Sequence, residues 1–200
     1  MYLTLTDLQN ISSCSFPSIV PSLRRALTTA STIIHCSRCP QQAFSAIQNV
    51  ITLVSLLSAI AERFHKVIQE IEEEAERLEQ TGEKKPFRVG DNDPAHAHLH
   101  TGSLDCPMGF NIHLDGHEWR KLTKKVLKTE VMGGGGNPTP LASLVDQMEQ
   151  RQRRWHVEKA DDAERQRIFG VQTCDPKGHD ATCLRMVTHV RTMIDSINWE

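Results

Sequence analysis

The stretch AIQNVITLVSLLSAIAERF, residues 46–64, decides the fold of this 200-residue chain. From residue 39 to residue 61 there is no Asp, Glu, Lys or Arg, and apolar residues recur three and four positions apart. That spacing is typical of an α-helix, and a surface that is apolar on nearly every side favours burial. The pattern continues to Leu78 with charges opposite an apolar stripe, and Thr81 and Gly82 end it.

The uncharged segment is also long enough to cross a bilayer. However, it contains eight Gln, Asn, Ser or Thr residues between residues 41 and 58, and no Trp or Tyr marks its ends. A helix buried inside a protein core is therefore the preferred interpretation. A membrane-associated helical protein is the alternative.

The composition is that of an ordinary globular protein. The formal net charge of −2 gives no overall attraction to nucleic acid. Aromatic residues make up only 5% of the chain, which argues against a strand-rich sandwich or barrel. The six cysteines are scattered, and the N-terminus has no basic segment followed by an apolar one, so reduced thiols in the cytosol or nucleus are expected.

Periodicity along the chain predicts an all-α fold, a bundle of about four helices with a long central helix. Residues 1–20 are expected to be irregular, and residues 21–82 to form a helical hairpin that contains the long apolar helix. A polar loop or disordered linker is predicted at 83–112, where Gly, Pro, Asp, Asn and His dominate. Residues 113–167 predict two amphipathic helices split by a flexible Gly-rich linker. Residues 168–200 form a poorly defined tail with space for one more short helix.

The segment HCSRCP contains Cys36 and Cys39, a Cys-x-x-Cys pair that supplies half of a structural zinc site. A second pair is missing, because Cys174 and Cys183 are nine positions apart, and a thioredoxin-like redox pair would need a βαβ context. We expect the two thiols to pack at a corner between helices, with Pro40 at the first helical position. A metal-binding or redox enzyme built on this pair is the alternative.

Two other segments have alternative interpretations. His96, His98 and His100 in AHAHLH could bind a divalent cation weakly, but they lie in the least regular part of the chain, which favours an accidental His-rich loop. Asp115 and Glu118 have the spacing of a capping box at the start of a helix.

The cluster RQRRW, residues 151–155, could touch phosphates, but acidic residues flank it and a solvated helix face is preferred. No Ser-His-Asp, Cys-His or paired-carboxylate pattern stands out. The sequence therefore predicts no enzyme, no catalytic residue, no cofactor and no resident metal.

The order of these segments resembles the C-terminal regulatory region of fungal binuclear zinc-cluster transcription factors, including relatives of the aflatoxin regulatory protein. The resemblance lies in a helix that ends in a Cys-x-x-Cys-Pro corner at residues 30–40, in the long apolar helix at 46–64, and in GFNIHLDGHEWRKLTKKVLKTEV at 109–131. It extends from about Leu23 to His156.

By this resemblance the chain would act in the nucleus as a regulatory module of transcription, with secondary-metabolite genes as a candidate target. Its partners would be proteins of the transcription machinery or a full-length zinc-cluster regulator. The family's DNA-binding module begins Cys-x2-Cys-x6-Cys, whereas here no cysteine follows Cys39 until Cys106. That module and its zinc are therefore not expected in this chain, and neither nucleic acid nor membrane contact is predicted. The chain would be part of a longer regulator or would pair with an intact one.

Overall fold

The computed structural model describes residues 2–11, 13–39, 41–91, 93–101, 103, 105–159, 161–170 and 181–200. These residues form a long helix surrounded by shorter helices, with one small hairpin. The elements are α1 Tyr2–Gln9, α2 Val20–Ile34, α3 Ala43–Thr81, β1 Lys85–Gly90, a 3₁₀ helix Pro94–Leu99, β2 Gly109–Leu114, α4 Gly116–Met132, α5 Leu141–Glu158, α6 Ala163–Phe169 and α7 Thr182–Asp195.

Helix α3 is the centre of the fold, and the other six α-helices of the described chain pack against it. Side chains along its middle have no exposed surface: Leu53, Leu56, Leu57, Ile60, Ala61, Phe64 and Val67. Full burial of one Leu, Ile or Phe contributes about 1.5–3 kcal/mol, so this stripe dominates the packing energy. Gly82 ends the helix with a φ of 70°, and its N–H donates to Leu78 O. The predicted all-α fold with a long central helix is confirmed, although with more helices than four.

The prediction that residues 1–20 are irregular is wrong for Tyr2–Gln9, which form α1. Two polar groups of α3 hold this region. Arg63 Nη2 donates to Gln9 O at 3.1 Å, and the Cys14 N–H donates to Glu70 Oε1 at 2.9 Å. A helix of eight residues is marginal in isolation. Its stability comes from packing on α2 and α3, and local periodicity does not reveal these contacts.

Residues 83–112 are not a continuous loop, because β1 and β2 pair as antiparallel strands with Phe87 opposite Ile112. An aromatic cluster anchors the hairpin. The Phe87 ring centroid lies 6.2 Å from that of Phe16 and 6.0 Å from that of Trp119. Burial alternates along β1, as expected for a sheet with one face against the protein, but each strand has only six residues, too few for a strong pattern in the sequence.

The predicted helix pair at 113–167 consists of three helices. Helix α5 ends at Glu158, and Asp162 starts α6 by accepting a hydrogen bond from the Arg165 N–H at 2.9 Å. Arg165 is 2% exposed, and its guanidinium donates to His156 O and Lys159 O at the end of α5. Arg165 therefore fixes the break by binding the carbonyls that α5 leaves without helical partners.

The prediction of a poorly defined tail at 168–200 is wrong for α7. This helix packs against α3 and α5 and buries Val187, Val190 and Ile194. Residues 171–180, which include Cys174, lie outside the described residues.

The glycine-rich stretch connects α4 to α5 along a defined path. Gly133 and Gly134 have φ values of 92° and 90°, which favour glycine. Asn137 is buried and its Oδ1 accepts a hydrogen bond from the Thr139 N–H at 3.0 Å. The connection therefore has a specific backbone conformation, whereas the sequence predicted a flexible linker.

Among the described residues, α3 is long and apolar enough to cross a membrane by length and composition. Half of its most apolar stretch is buried inside the fold. The central helix of a soluble core passes the same test.

Gly116 begins α4 where that helix meets α3. A Cβ atom at Gly116 would lie 2.4 Å from Ala75 O and 2.6 Å from Glu79 Cγ, whereas one at Gly136 would have no neighbour within 4 Å. We expect Gly116→Ala to lower the free energy of unfolding by about 1–3 kcal/mol, because the backbone of α3 would have to shift. Urea denaturation measures the change, with Gly136→Ala as the matched control. Equal stability of the two variants would contradict this contact.

Glu74 connects α3 to the hairpin, and its carboxylate binds Arg77 Nε at 2.8 Å and Lys85 Nζ at 2.6 Å. The Arg77 hydrogen bond, helped by Lys85, lowers the pKa of Glu74 from 4.5 to about 2. A carboxyl group whose pKa is lowered by folding stabilises the fold at pH values above its pKa in the unfolded chain. This stabilisation is lost as the pH falls towards 2.

We therefore expect Glu74→Gln to lower the free energy of unfolding by about 1 kcal/mol at pH 7, after discounting for solvent screening. The loss should become smaller as the pH falls from 4.5 to 2. Thermal denaturation over that pH range measures the difference. Glu76→Gln, at an exposed position of the same helix, is the control. A pH-independent cost would show that the ion pairs do not contribute.

Candidate functional site

Cys36 and Cys39 lie in the turn between the end of α2 and the start of α3. Their sulfur atoms are 3.1 Å apart, with the Cys39 S–H donating to Cys36 Sγ. Two backbone hydrogen bonds close the turn: the Cys36 N–H donates to Ile33 O at 3.2 Å, and the Gln41 N–H donates to Arg38 O at 3.2 Å. Both thiols are half-buried at this corner between two helices. Pro40 lies outside the described residues.

The shared hydrogen bond makes the two thiols unequal. It lowers the pKa of Cys36, because the Cys39 S–H stabilises the Cys36 thiolate, and the charge of Arg38 adds a smaller contribution. The same bond raises the pKa of Cys39. Of these two thiols, Cys36 is therefore the one that ionises first as the pH rises.

Arg151 of α5 joins this corner to two helices. Its Nη1 donates to Ile33 O at 3.1 Å and to Ile34 O at 3.4 Å, the final carbonyls of α2. Its Nη2 donates to Asn49 Oδ1 of α3 at 2.7 Å. Burial lowers the pKa of the Arg151 guanidinium, while the two nearby thiols act in the opposite direction. Arg151 thus satisfies the end of α2 and places a positive charge beside the thiols.

A cavity of about 350 Å³ opens beside Cys36, between the end of α2 and one face of α5. This volume falls in the range of small-molecule sites in proteins. Cys36 is part of the wall, but Cys39 is not. The remaining lining residues combine apolar, amide and charged side chains: Ile34, His35, Gln147, Gln150, Arg151, Arg154, Trp155 and Glu158.

The other predicted metal candidates are placed apart from these thiols. His96, on the exposed 3₁₀ helix, shares a hydrogen bond with Asp91 at 2.6 Å, and His98 is exposed. His100 Nδ1 lies 3.7 Å from the Cys106 sulfur. Across the described ranges, no three His, Cys, Asp or Glu side chains come together in a group that could hold a metal ion.

Cys106 lies in the connection between the two strands of the hairpin, just before β2. Backbone N–H groups of Thr101 and Met108 point to its sulfur, and they lower the pKa of Cys106 to about 7. This thiol is only 8% exposed.

Asp115 and Glu118 form a reciprocal capping box at the start of α4. Asp115 Oδ1 accepts from the Glu118 N–H at 2.8 Å, and Glu118 Oε2 accepts from the Asp115 N–H at 3.1 Å. The two side chains therefore serve backbone groups at the helix start.

A Cys-His contact that the sequence does not reveal lies between α5 and α7. His156 Nε2 is 3.0 Å from Cys183 Sγ, and Arg165 Nη2 is 2.7 Å from His156 Nδ1. Because a guanidinium only donates, His156 accepts at Nδ1 and carries its proton on Nε2, where it points to the sulfur. Burial raises the pKa of the Cys183 thiol. The residues are 27 positions apart, so no local spacing could have indicated this contact.

The basic cluster at 151–155 is largely engaged within the fold. Besides Arg151, Arg153 pairs with Glu149 at 2.8 Å, and the Trp155 ring lies 4.7 Å from the Arg165 guanidinium carbon.

The N-terminal half of α3 leaves one side uncovered. Phe44 is 62% exposed and Ile51 is 49% exposed, so the expectation that this half is buried nearly all round is wrong at these positions. We define the uncharged α3 face as Phe44, Ile47, Gln48, Ile51 and Ser55, which recur at helical spacing. An exposed apolar stripe without charges is typical of a surface that binds another protein.

Replacement of Arg151 by Met should lower the free energy of unfolding by about 2 kcal/mol, because the last carbonyls of α2 and the Asn49 side chain lose a charged hydrogen-bond donor. The free energy of unfolding in urea measures this effect. Arg153→Met is the matched control two positions away, where an exposed ion pair contributes at most about 0.5 kcal/mol. If both variants were equally stable, Arg151 would not be holding the corner.

The chain is similar to curated fungal proteins named transcription factor rglT. It is 25% identical to the Aspergillus fumigatus protein, in each of two strains, over an alignment of 212 residues that covers 97% of this chain and 45% of the relative. It is 27% identical to the Emericella nidulans protein over 219 residues, which cover 100% of this chain and 46% of the relative. The chain therefore spans about half the length of the curated relatives it matches. No protein-family model matches it, and no solved structure matches it.

Proposed function

We propose that this chain is a non-enzymatic module of transcriptional regulation that works in the nucleus by binding other proteins. The observation that carries the proposal is the similarity to transcription factor rglT along nearly the whole chain. The order of the Cys-x-x-Cys corner, the long apolar helix and the capped fourth helix adds the finer proposal. In that proposal the chain corresponds to the C-terminal regulatory region of a zinc-cluster regulator, with secondary-metabolite genes among its targets.

The uncharged α3 face is the contact surface in this proposal. Phe44 and Ile51 lie two turns apart on that face, and charged residues are missing from residue 39 to residue 61. Such a surface selects a partner whose own contact is an apolar helix without charges, because an unpaired charge buried there would be costly. We assign the partner as a protein that carries the six-cysteine DNA-binding module, whether in a separate chain or elsewhere in one longer chain.

Direct nucleic acid binding is not part of the proposal. The net charge is −2, and Arg151 and Arg153 bind carbonyl, amide and carboxylate groups of this chain. Recognition of DNA would come from the partner's module, and this chain would supply regulation.

The test fuses the chain to an unrelated DNA-binding domain and measures a reporter gene in a filamentous fungus. We expect the fusion to change reporter expression, and the double variant Phe44→Asp with Ile51→Asp to remove most of that change. Loss of two central apolar contacts typically weakens binding by about 2 kcal/mol or more. Co-precipitation of a zinc-cluster protein should fall in parallel.

The matched control is Phe110→Asp, because Phe110 is 63% exposed on the hairpin and lies outside the α3 face. That variant should behave like the unaltered chain, and circular dichroism should show unchanged helix content in all variants. A fusion without any effect on the reporter would overturn the regulatory role. An effect that survives the double substitution would overturn the assignment of the surface.

A further inference from the structure

We propose that Cys36 and Cys39 are a reversible redox-modification site, oxidised to an intramolecular disulfide by a carboxylate-bearing low-molecular-weight disulfide that enters the cavity beside Cys36. Glutathione disulfide is a probe of this chemical class. The inference stands apart from the proposed function and does not require it.

The two sulfur atoms need to move little to form a disulfide bond. The two sulfur atoms are 3.1 Å apart, about 1 Å more than a disulfide bond. They lie in the turn that follows Ile34 and precedes Ala43, outside both helices. Closing a ring across two intervening residues therefore changes the turn and leaves α2 and α3 intact.

The surroundings assign a different role to each sulfur. Cys36 lines the cavity, whereas Cys39 lies behind it and donates its S–H to Cys36 Sγ. A lowered pKa at Cys36 and a raised pKa at Cys39 agree with these positions. Cys36 is the attacking thiol, which must reach the incoming disulfide, and Cys39 is the resolving thiol, which must reach only Cys36.

The cavity suits a small molecule with carboxylate groups. Its volume is about 350 Å³, and Arg151 and Arg154 contribute two positive charges against one negative charge from Glu158. Gln147 and Gln150 add amide donors, and Trp155 adds an apolar wall. Arg151 faces the α2 carbonyls, so the exposed Arg154 is the cation that can meet a carboxylate directly.

The reaction is balanced by the small disulfide, which is the oxidant. The Cys36 thiolate attacks one sulfur of RSSR, the S–S bond breaks, and RS⁻ leaves and takes a proton from water. Cys39 then loses its proton and attacks Cys36 Sγ, which releases the second RSH. The dithiol gives up two electrons and two protons, RSSR becomes two RSH, and excess RSH reverses both steps.

Among the described thiols, only Cys36 both lines the cavity and contacts a second sulfur; Cys106, whose pKa is about 7, does neither. Cys14 is 4% exposed and Cys106 is 8% exposed, and burial raises the pKa of Cys183. Within the described part of the chain, no other two cysteine sulfurs are in hydrogen-bonding contact.

The test equilibrates the full chain with buffers of reduced and oxidised glutathione at pH 7, followed by acid quenching, alkylation and peptide mapping. Trypsin cuts after Arg38, so a disulfide between Cys36 and Cys39 joins peptides 26–38 and 39–63. We expect this linked pair as the first oxidation product of the wild-type chain and its loss on addition of reduced glutathione. In Cys39→Ser, a mixed disulfide with glutathione should accumulate at Cys36.

Arg154→Glu tests the cavity. It should slow the reaction with glutathione disulfide by about tenfold at low salt, because charge steering is reversed, and should not slow the reaction with cystamine, a cationic disulfide. The proposal is overturned if Cys36 and Cys39 remain thiols while another cysteine is oxidised, or if glutathione in Cys39→Ser attaches first at another position. Equal slowing with both probes would overturn the cavity as the entry site.

Discussion

Burial of α3 is the constraint on which the remaining structure depends. Its central side chains, Leu53 to Val67, are enclosed by helices that precede it and by helices that follow it in the sequence. Hydrophobic stabilisation scales with the apolar area removed from water, so each short helix gains most of its stability by docking on this one. The same constraint explains the uncharged α3 face, because the neighbouring helices leave the surface around Phe44 and Ile51 uncovered.

Arginine side chains close the ends of three helices. Arg63, Arg151 and Arg165 each lie on a different helix from the one whose final carbonyls they bind, namely α1, α2 and α5. The last carbonyls of a helix lack partners within it, and burying them unpaired is costly. A guanidinium offers five donors and can serve several carbonyls at once. At the end of α2 this arrangement also places a positive charge beside the thiol corner and in the cavity wall, so structure and proposed chemistry share one residue.

The sequence predicts what is encoded within a few positions. The periodicity of α3 and its end at Gly82 are of this kind, since helix contacts and caps are local. The features that could not be predicted depend on residues far apart in the sequence. The strand around Phe87 packs against Trp119 and Phe16. The Cys183 thiol contacts His156 only because α5 packs on α7. Periodicity also identifies apolar residues without telling which of them are covered, as Phe44 illustrates. The cavity beside Cys36 is a third case, because its walls come from segments more than one hundred positions apart.

Amide hydrogen exchange of the full chain, read by mass spectrometry or NMR, tests the central claim most directly, because exchange rates report the free energy needed to open each segment. If α3 is the enclosed core, its amides from Leu53 to Ile71 exchange slowest in the chain, at the rate of global unfolding. If those amides exchange as fast as the termini of the surface helices, α3 is not the element around which this protein is built.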